Sequence, residues 1–361
     1  MPGESIETQP AQIPHTRRPY DCWDVCTQTA TAAGRREGRD LRKVTLKRSF
    51  GGARDESVGA NRTRFDRRAP CTGSSGMRRR LEMSPKPDSA RTATARIQAA
   101  RSLLFVPGNR PDRFERAKAS EADLVICDLE DSVGGDHKDL ARSCVAEWLS
   151  DGGGALVRLN AAHTPDFSAD LDVLKGLPGV LGLVLPKAEP AALLALSDRI
   201  DCDVPVVALI ETAVGVQHAG TIAATPGVVR LAFGAIDFSL DVGSAEDEVA
   251  LLFARSSLVV SSRAARIAAP VDGVTLNLDN SDVARNDAFR VRQLGFGGKL
   301  CIHPHQVAAV NSAFAPTGEE VDWARLVVAA TTGSGASRVG HSMIDRAVIE
   351  RAQRILRWAA P

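Results

Sequence analysis

The sequence predicts an α/β protein built as a (β/α)8, or TIM, barrel, and three observations carry the prediction. From residue 101 onward, short apolar runs alternate with longer segments of helical period. The runs are continuous in Val, Ile and Leu, as in strands buried on both faces of a parallel sheet. Eight such runs fit within about 200 residues, the number and spacing of a closed barrel. The alternative is a doubly wound open sheet. It is weakened by the first strand-to-helix turn, FVPGNRPDR at 105–113, which has one glycine and no G-x-G-x-x-G.

The elements follow in order. Ser102–Pro107 (SLLFVP) is an apolar run closed by Pro-Gly, and Asp123–Asp128 (DLVICD) holds four apolar residues between aspartates. Ala155–Leu159 (ALVRL) follows three glycines, and Leu181–Pro186 (LGLVLP) ends at a proline. Val204–Ile210 (VPVVALI), Val229–Gly234 (VRLAFG), Val271–Leu276 (VDGVTL) and Lys299–Ile302 (KLCI) complete the eight. The helical period fills the gaps at Asp112–Ala119, Lys138–Ser150, Ala191–Ile200, Val214–Ala224 and Ala254–Ala268.

Composition narrows the class. With 361 residues, 44% apolar and 25% charged, the chain has material for a globular core. Aromatic residues are only 4%, so the core rests on Ala, Val, Leu and Ile. No run approaches the ~20 apolar residues of a membrane helix. The first residues lack the apolar stretch of a secretory signal. Seven cysteines without a dense framework point to reduced thiols and a cytoplasmic setting.

Charge is uneven. Residues 1–82 hold 17 Lys and Arg against 10 Asp and Glu, a net of +7; with +1 overall, the rest carries −6. This segment has almost no apolar periodicity, and such a composition cannot offset its ordering entropy. Residues 1–100 are therefore read as a disordered basic arm outside the functional protein. Translated upstream sequence is the preferred origin, with Met83 or Met77 as the true start. An organelle transit peptide is opposed by the ten acids, and nucleic acid is not an expected partner. Cys22 and Cys26 lack a second pair at zinc-finger spacing and read as free thiols. The barrel is placed at 101–330 and a C-terminal extension at 331–361.

Polar residues collect where the strands end. Asp128, Glu130 and Asp131 follow the second strand, Arg158 and Asn160 the third, Lys187 the fourth, Glu211 the fifth, Asp237 the sixth and His303 the eighth. Barrel enzymes build active sites at that rim, so the chain reads as an enzyme. Glu211 and Asp237 offer hard oxygen ligands for Mg2+ or Mn2+. Asp128 and Glu130 are placed to hold metal waters, with Asp131 assigned to a helix cap in preference to them. Arg158 supplies a fork for a carboxylate or an enolate oxygen. Lys187 is either a Schiff-base lysine or, in preference, a rim ion pair with Glu189 or Glu211. His303 and His305 share a strand face but lack a third zinc ligand, and His218 reads as a surface or core residue. No G-x-S-x-G, Walker A or H-E-x-x-H pattern is present. These residues point to metal-assisted carbon–carbon cleavage of a small anionic substrate.

Eight segments in order carry a resemblance: RSLLFVPGNRPDRFERA, DLVICDLEDSV, VRLN, LPKAE, ALIETAVGV, AFGAIDFSLDVG, GFGGKLCIHPHQV and GHSMIDRAVIERAQRIL. Together they resemble the HpcH/HpaI aldolase and citrate lyase family, most of all its citrate lyase beta-subunit-like CoA-ester lyases. The resemblance spans about residues 101–358 and implies a (β/α)8 barrel assembled as a homo-oligomer, commonly a trimer. It implies Mg2+ on Glu211 and Asp237, substrate bound by Arg158 and Glu211, and metal waters oriented by Asp128 and Glu130, with Lys187 beside them. It also implies that Asp345 of SMID is a catalytic acid–base presented to a neighbouring subunit. The expected substrate is a 3-hydroxyacyl-CoA of citryl, malyl or citramalyl type. A CoA-independent pyruvate-type aldolase and a non-catalytic subunit of a larger lyase complex are the alternatives. Ile236 departs from the family, where many members have an acid.

Overall fold

The structure, a computed structural model, describes residues 87–201, 203–330, 337–339 and 342–359. In chain order its elements are α1 (Pro87–Ala99), β1 (Ser102–Pro107), α2 (Phe114–Lys118), β2 (Leu124–Asp128), α3 (Lys138–Ser150), β3 (Ala155–Arg158), α4 (Pro165–Leu174) and β4 (Val180–Leu185). Then come α5 (Pro190–Ser197), β5 (Val206–Ile210), α6 (Ala213–Gln217), α7 (Ala219–Ala224), β6 (Val228–Phe233), α8 (Ala235–Val242), α9 (Glu248–Ala265) and β7 (Val271–Asp272). The remainder is α10 (Ser281–Leu294), β8 (Gly298–Cys301), α11 (Pro304–Phe314), α12 (Gly318–Ala330), β9 (Ser337–Val339), β10 (Ser342–Ile344) and α13 (Arg346–Ala359).

Strands β1 to β8 pair in sequence order, all parallel, and β8 closes on β1. The closed barrel excludes the open-sheet alternative. Successive strand side chains point alternately in and out, which divides the apolar residues into two layers. Leu103, Ile126, Leu156, Val184, Val207, Leu209 and Leu300 fill the barrel. Leu104, Val125, Val157, Leu183, Ala208 and Leu231 face the surrounding helices. This is why the strands read as continuous apolar runs. Among the described residues no helix is long and apolar enough to cross a membrane.

Two expectations change. The arm drawn to residue 100 contains α1, a helix with Ala93, Ile97 and Ala100 buried. Ile97 belongs to the interior layer, and the Arg230 guanidinium donates to the carbonyls of Ile97 (2.7 Å), Ala100 (2.6 Å) and Ala269 (2.7 Å). An arginine on the carbonyls at a helix C-terminus satisfies acceptors that have no partner within the helix. Burial pushes the Arg230 pKa down to about 9. The expectations for residues 1–82, including Cys22 and Cys26, lie outside the described residues.

The seventh strand is two residues long, not six. Only Ala232–Val271 pairs β6 with β7, and charged side chains occupy the space beside it. Asp272 accepts from Arg255 (2.8 Å) and from Lys299 (3.1 Å), and all three side chains are largely or wholly buried. Burial would raise the Asp272 pKa, but the two cations hold it below the ordinary carboxylate range. In the C-terminal extension β9 pairs antiparallel with β10; residues 331–336, 340–341 and 360–361 lie outside the described residues. Beyond β10, α13 packs on α12 through Ala324, Val327, Ala352 and Ile355, a small core of its own.

Candidate functional site

The C-terminal ends of β2 to β6 gather the polar cluster. After β2 the chain turns sharply, and Asp128 makes the turn by accepting the N–H groups of Glu130 (2.9 Å) and Ser132 (3.1 Å). No helix begins at this turn, so Asp131 caps none; the helix that follows, α3, starts at Lys138 without a side-chain cap. Arg158, at the end of β3, forks onto Asp128 with Nε and Nη2, each at 2.7 Å. Its Nη1 reaches Asp131 at 3.1 Å and lies 3.2 Å from Glu130, and its guanidinium covers the Phe105 ring at 4.8 Å. Burial would lower the Arg158 pKa, but the bonds and charge of Asp128 outweigh it and keep it raised. Asp128, buried too, is held below its usual range by the same pair.

Lys187 follows β4 with its backbone in the left-handed region, φ +44°. Its N–H donates to Glu211 Oε1 at 2.7 Å. Its Nζ donates to Glu130 Oε1 at 3.0 Å and lies 3.8 Å from Glu211 Oε1. The predicted rim ion pair is therefore real, with Glu130 as its first partner. Glu189 instead accepts from the Thr212 hydroxyl at 2.8 Å, and Thr212 caps α6 by accepting from the Gly215 N–H.

Glu211 ends β5, buried, and its carboxylate lies against the backbone of the next strand end. A Cβ on Gly234 would stand 2.5 Å from Glu211 Oε2 and 2.6 Å from its Cβ. Only glycine leaves that space. Asp237 follows in the first turn of α8. Burial pushes the Glu211 pKa up to about 8, with the charges of Glu130 and Asp237 adding to it and Lys187 opposing. Glu130 is pushed up to about 7, by burial against the pull of Arg158, with Asp131 adding to the rise.

Such a cluster fits a divalent cation. Glu130 and Glu211 are both raised by burial, and the charges of Glu130 and Asp237 add to the rise at Glu211, a strain that a bound cation would relieve. Glu130 Oε2 is buried and without a hydrogen-bond partner, so one oxygen is available for a water or cation-bound group. Glu211 and Asp237 are the residues that could hold it, the charge of Asp237 acting on Glu211. Among the described residues no group of three or more His, Cys, Asp or Glu side chains could hold a metal ion, so a cation here would draw on one or two carboxylates, a number Mg2+ accepts beside water and substrate.

The structure brings together Asp128, Glu130, Arg158, Lys187 and Glu211 by direct contacts, and the charge of Asp237 reaches Glu211. Asp345 is placed elsewhere in its own chain: exposed, with Oδ1 accepting from the Val348 N–H at 2.9 Å to cap α13. His303 Nδ1 accepts from the His305 N–H, and their rings stand edge to face; no third ligand joins them among the described residues. His218 is exposed between α6 and α7. A cavity of about 590 Å³ borders Ala235 and Ile236 and runs between α9 and α10. It adjoins Asp237 without being lined by Glu130, Lys187 or Glu211, so the chemistry sits beside it.

Comparison with known proteins finds relatives that span the barrel. A family model described as HpcH/HpaI aldolase/citrate lyase matches residues 101–304. A citrate lyase subunit beta-like protein of Deinococcus radiodurans is 36% identical over 275 residues, covering 71% of this chain and 96% of the relative. A (3S)-malyl-CoA thioesterase of Cereibacter sphaeroides is 30% identical over 256 residues, covering 69% and 89%. Among solved structures, CitE from Mycobacterium tuberculosis in complex with magnesium, acetoacetate and coenzyme A superimposes with a TM-score of 0.64 at 34% identity. That match covers 73% of this chain and 99% of CitE.

Proposed function

The chain belongs to the HpcH/HpaI aldolase/citrate lyase family, and from that premise we propose that it is a magnesium-dependent carbon–carbon lyase. Its substrate is a 3-hydroxyacyl-CoA of citryl, malyl or citramalyl type, and its products are acetyl-CoA and an oxo acid. The observation that carries the reading is the buried pair Glu130 and Glu211 at the barrel mouth, both raised, with Glu130 Oε2 lacking a hydrogen bond and the charge of Asp237 acting on Glu211. Magnesium and coenzyme A in the CitE complex support it.

Mg2+, held by Glu211 and Asp237, supplies Lewis-acid polarisation of the substrate's carboxylate and hydroxyl oxygens. The chain's own residues do the rest. Arg158 is locked on Asp128 and presents a fixed positive charge beside Glu130, which favours the oxygen that gains charge as the carbon–carbon bond breaks. Glu130, gripped by Lys187, keeps its second oxygen for a water. The hydroxyl proton leaves to water as the oxo acid's carbonyl forms, and the electron pair of the broken carbon–carbon bond goes to the thioester enolate, which takes a proton at carbon. Asp345 of another subunit is the acid for that carbon. Its exposure at the start of α13, outside the barrel, is compatible with reaching a neighbour.

The relationship to a malyl-CoA thioesterase favours a second reading, hydrolysis of the thioester. One experiment separates them. Citryl-, malyl- and citramalyl-CoA are each incubated with the protein and Mg2+, and the products are resolved. Acetyl-CoA with an equal amount of oxo acid is expected from one ester. Free CoA with the intact hydroxy acid identifies a thioesterase, and no turnover of any ester removes both readings.

A further inference from the structure

Lys187 is the one residue of the cluster that touches two carboxylates by two different groups. Its main-chain N–H holds Glu211 at 2.7 Å, and its ammonium holds Glu130 at 3.0 Å. A left-handed backbone lets both groups face the cluster, and a lysine keeps that conformation only where its surroundings over-determine it. Glu130 is flanked from the other side by Arg158, 3.2 Å from Oε2, at a geometry that makes no hydrogen bond.

The consequence concerns how many ligands the protein gives a cation. Chelation of a hydroxy acid needs two adjacent positions of a near-octahedral ion, besides those taken by protein and water. A third protein carboxylate on the ion would take one of the positions that water and substrate need. We infer that Lys187 is a positioning residue that holds Glu130 out of the coordination sphere, so that Glu211 and Asp237 alone ligate and the substrate's positions stay open. The inference rests on the metal reading above. Lys187 thereby separates the two acids, Glu211 as ligand and Glu130 as holder of a water.

The separation is testable because the two contacts have different origins. Glycine at 187 accepts the left-handed backbone and keeps the N–H to Glu211 while removing the ammonium. Methionine removes the charge with little change in size. The probe is Mn2+ titrated into the metal-depleted full chain, with free ion read by electron paramagnetic resonance and bound waters by proton relaxation.

Lys187→Gly and Lys187→Met are expected to bind Mn2+ about tenfold or more tighter, the effect of removing one like charge within ~4–6 Å. They should hold fewer exchangeable waters, because Glu130 now ligates. Adding Glu130→Gln to Lys187→Met should return both values to wild type, and Lys187→Arg should resemble wild type. Unchanged or weaker Mn2+ binding with an unchanged water count in both variants overturns the inference alone. Absence in the wild type of any Mn2+ site that Asp237→Asn abolishes overturns it together with the metal reading.

Discussion

Removing α1 should cost the barrel a large part of its stability, whereas removing everything before Met83 should cost nothing. Residues 1–82 have almost no apolar periodicity with which to pack. Ile97 is fully buried in the interior layer, and burial of such a side chain stabilises by ~1.5–3 kcal/mol. Truncating it to alanine also leaves a cavity, so Ile97→Ala should lose about 2–4 kcal/mol. Beginning the chain at Arg101 removes that contact, the Ala93 and Ala100 contacts, and two of the three carbonyls that hold Arg230. Each lost partner of a buried polar group costs ~1–3 kcal/mol. Water reaching the opened floor of the barrel offsets part of this, which leaves a loss of about 4–7 kcal/mol. That approaches the whole margin of a domain, ~5–15 kcal/mol. Urea unfolding of three chains, beginning at Met1, Met83 and Arg101, measures it. The first two should share a midpoint, and the third should unfold at much lower urea or fail to fold. Equal midpoints for the chains beginning at Met83 and Arg101 would refute the role given to α1 and Arg230.

Three further outcomes follow from the site. Gly234→Ala should weaken Mn2+ binding at least tenfold while the fold persists, because its Cβ would meet Glu211 at 2.5 Å and displace the ligand; unchanged affinity by calorimetry would show that Glu211 is not the ligand. In metal-free protein the native Glu130 and Glu211 titrate near 7 and 8, whereas the unfolded chain gives up those protons near 4.5. The native state thus binds more protons across that interval, so thermal stability should fall as pH rises from about 5 to about 8, and Mg2+ should restore it; a rise with pH in the absence of metal would be the wrong sign. Asp345→Ala and Glu211→Ala proteins, each nearly inactive, should regain activity when their subunits are exchanged, since some sites then hold both residues. Verified mixed oligomers that stay inactive would confine Asp345 to capping α13.

The strands were legible because each is apolar on both faces, and β1 coincides with its predicted span. β7 was over-read because VDGVTL has the composition of a strand, yet the chain leaves the barrel at Gly273, whose Cβ would crowd the Phe233 carbonyl. α1 was missed because its buried face is made of alanines and a single isoleucine. Ala93, Ile97 and Ala100 do lie at the i, i+4, i+7 spacing of one helix face. In the site, residue types and strand-end positions were readable, but pairings across the barrel were not. Asp128 meets Arg158 from 30 residues away and Lys187 meets Glu130 from 57, so neither pairing has a local signal. Arg230 in VVRLAF and Lys299 in GGKLC were charged residues inside apolar runs, a mark of buried partners that composition alone does not interpret.

The central claim is that Glu211 and Asp237 hold the ion on which carbon–carbon cleavage depends. It is tested most directly by acetyl-CoA formation during Mg2+ titration of metal-depleted protein, beside Glu211→Gln and Asp237→Asn. The account predicts no product without metal and saturable activation by Mg2+ in the wild type. Each variant should fall by about three orders of magnitude or more, since loss of such charge stabilisation is worth several kcal/mol, with thermal unfolding showing both variants folded. Full turnover in excess EDTA, or near wild-type turnover in both variants, would contradict it.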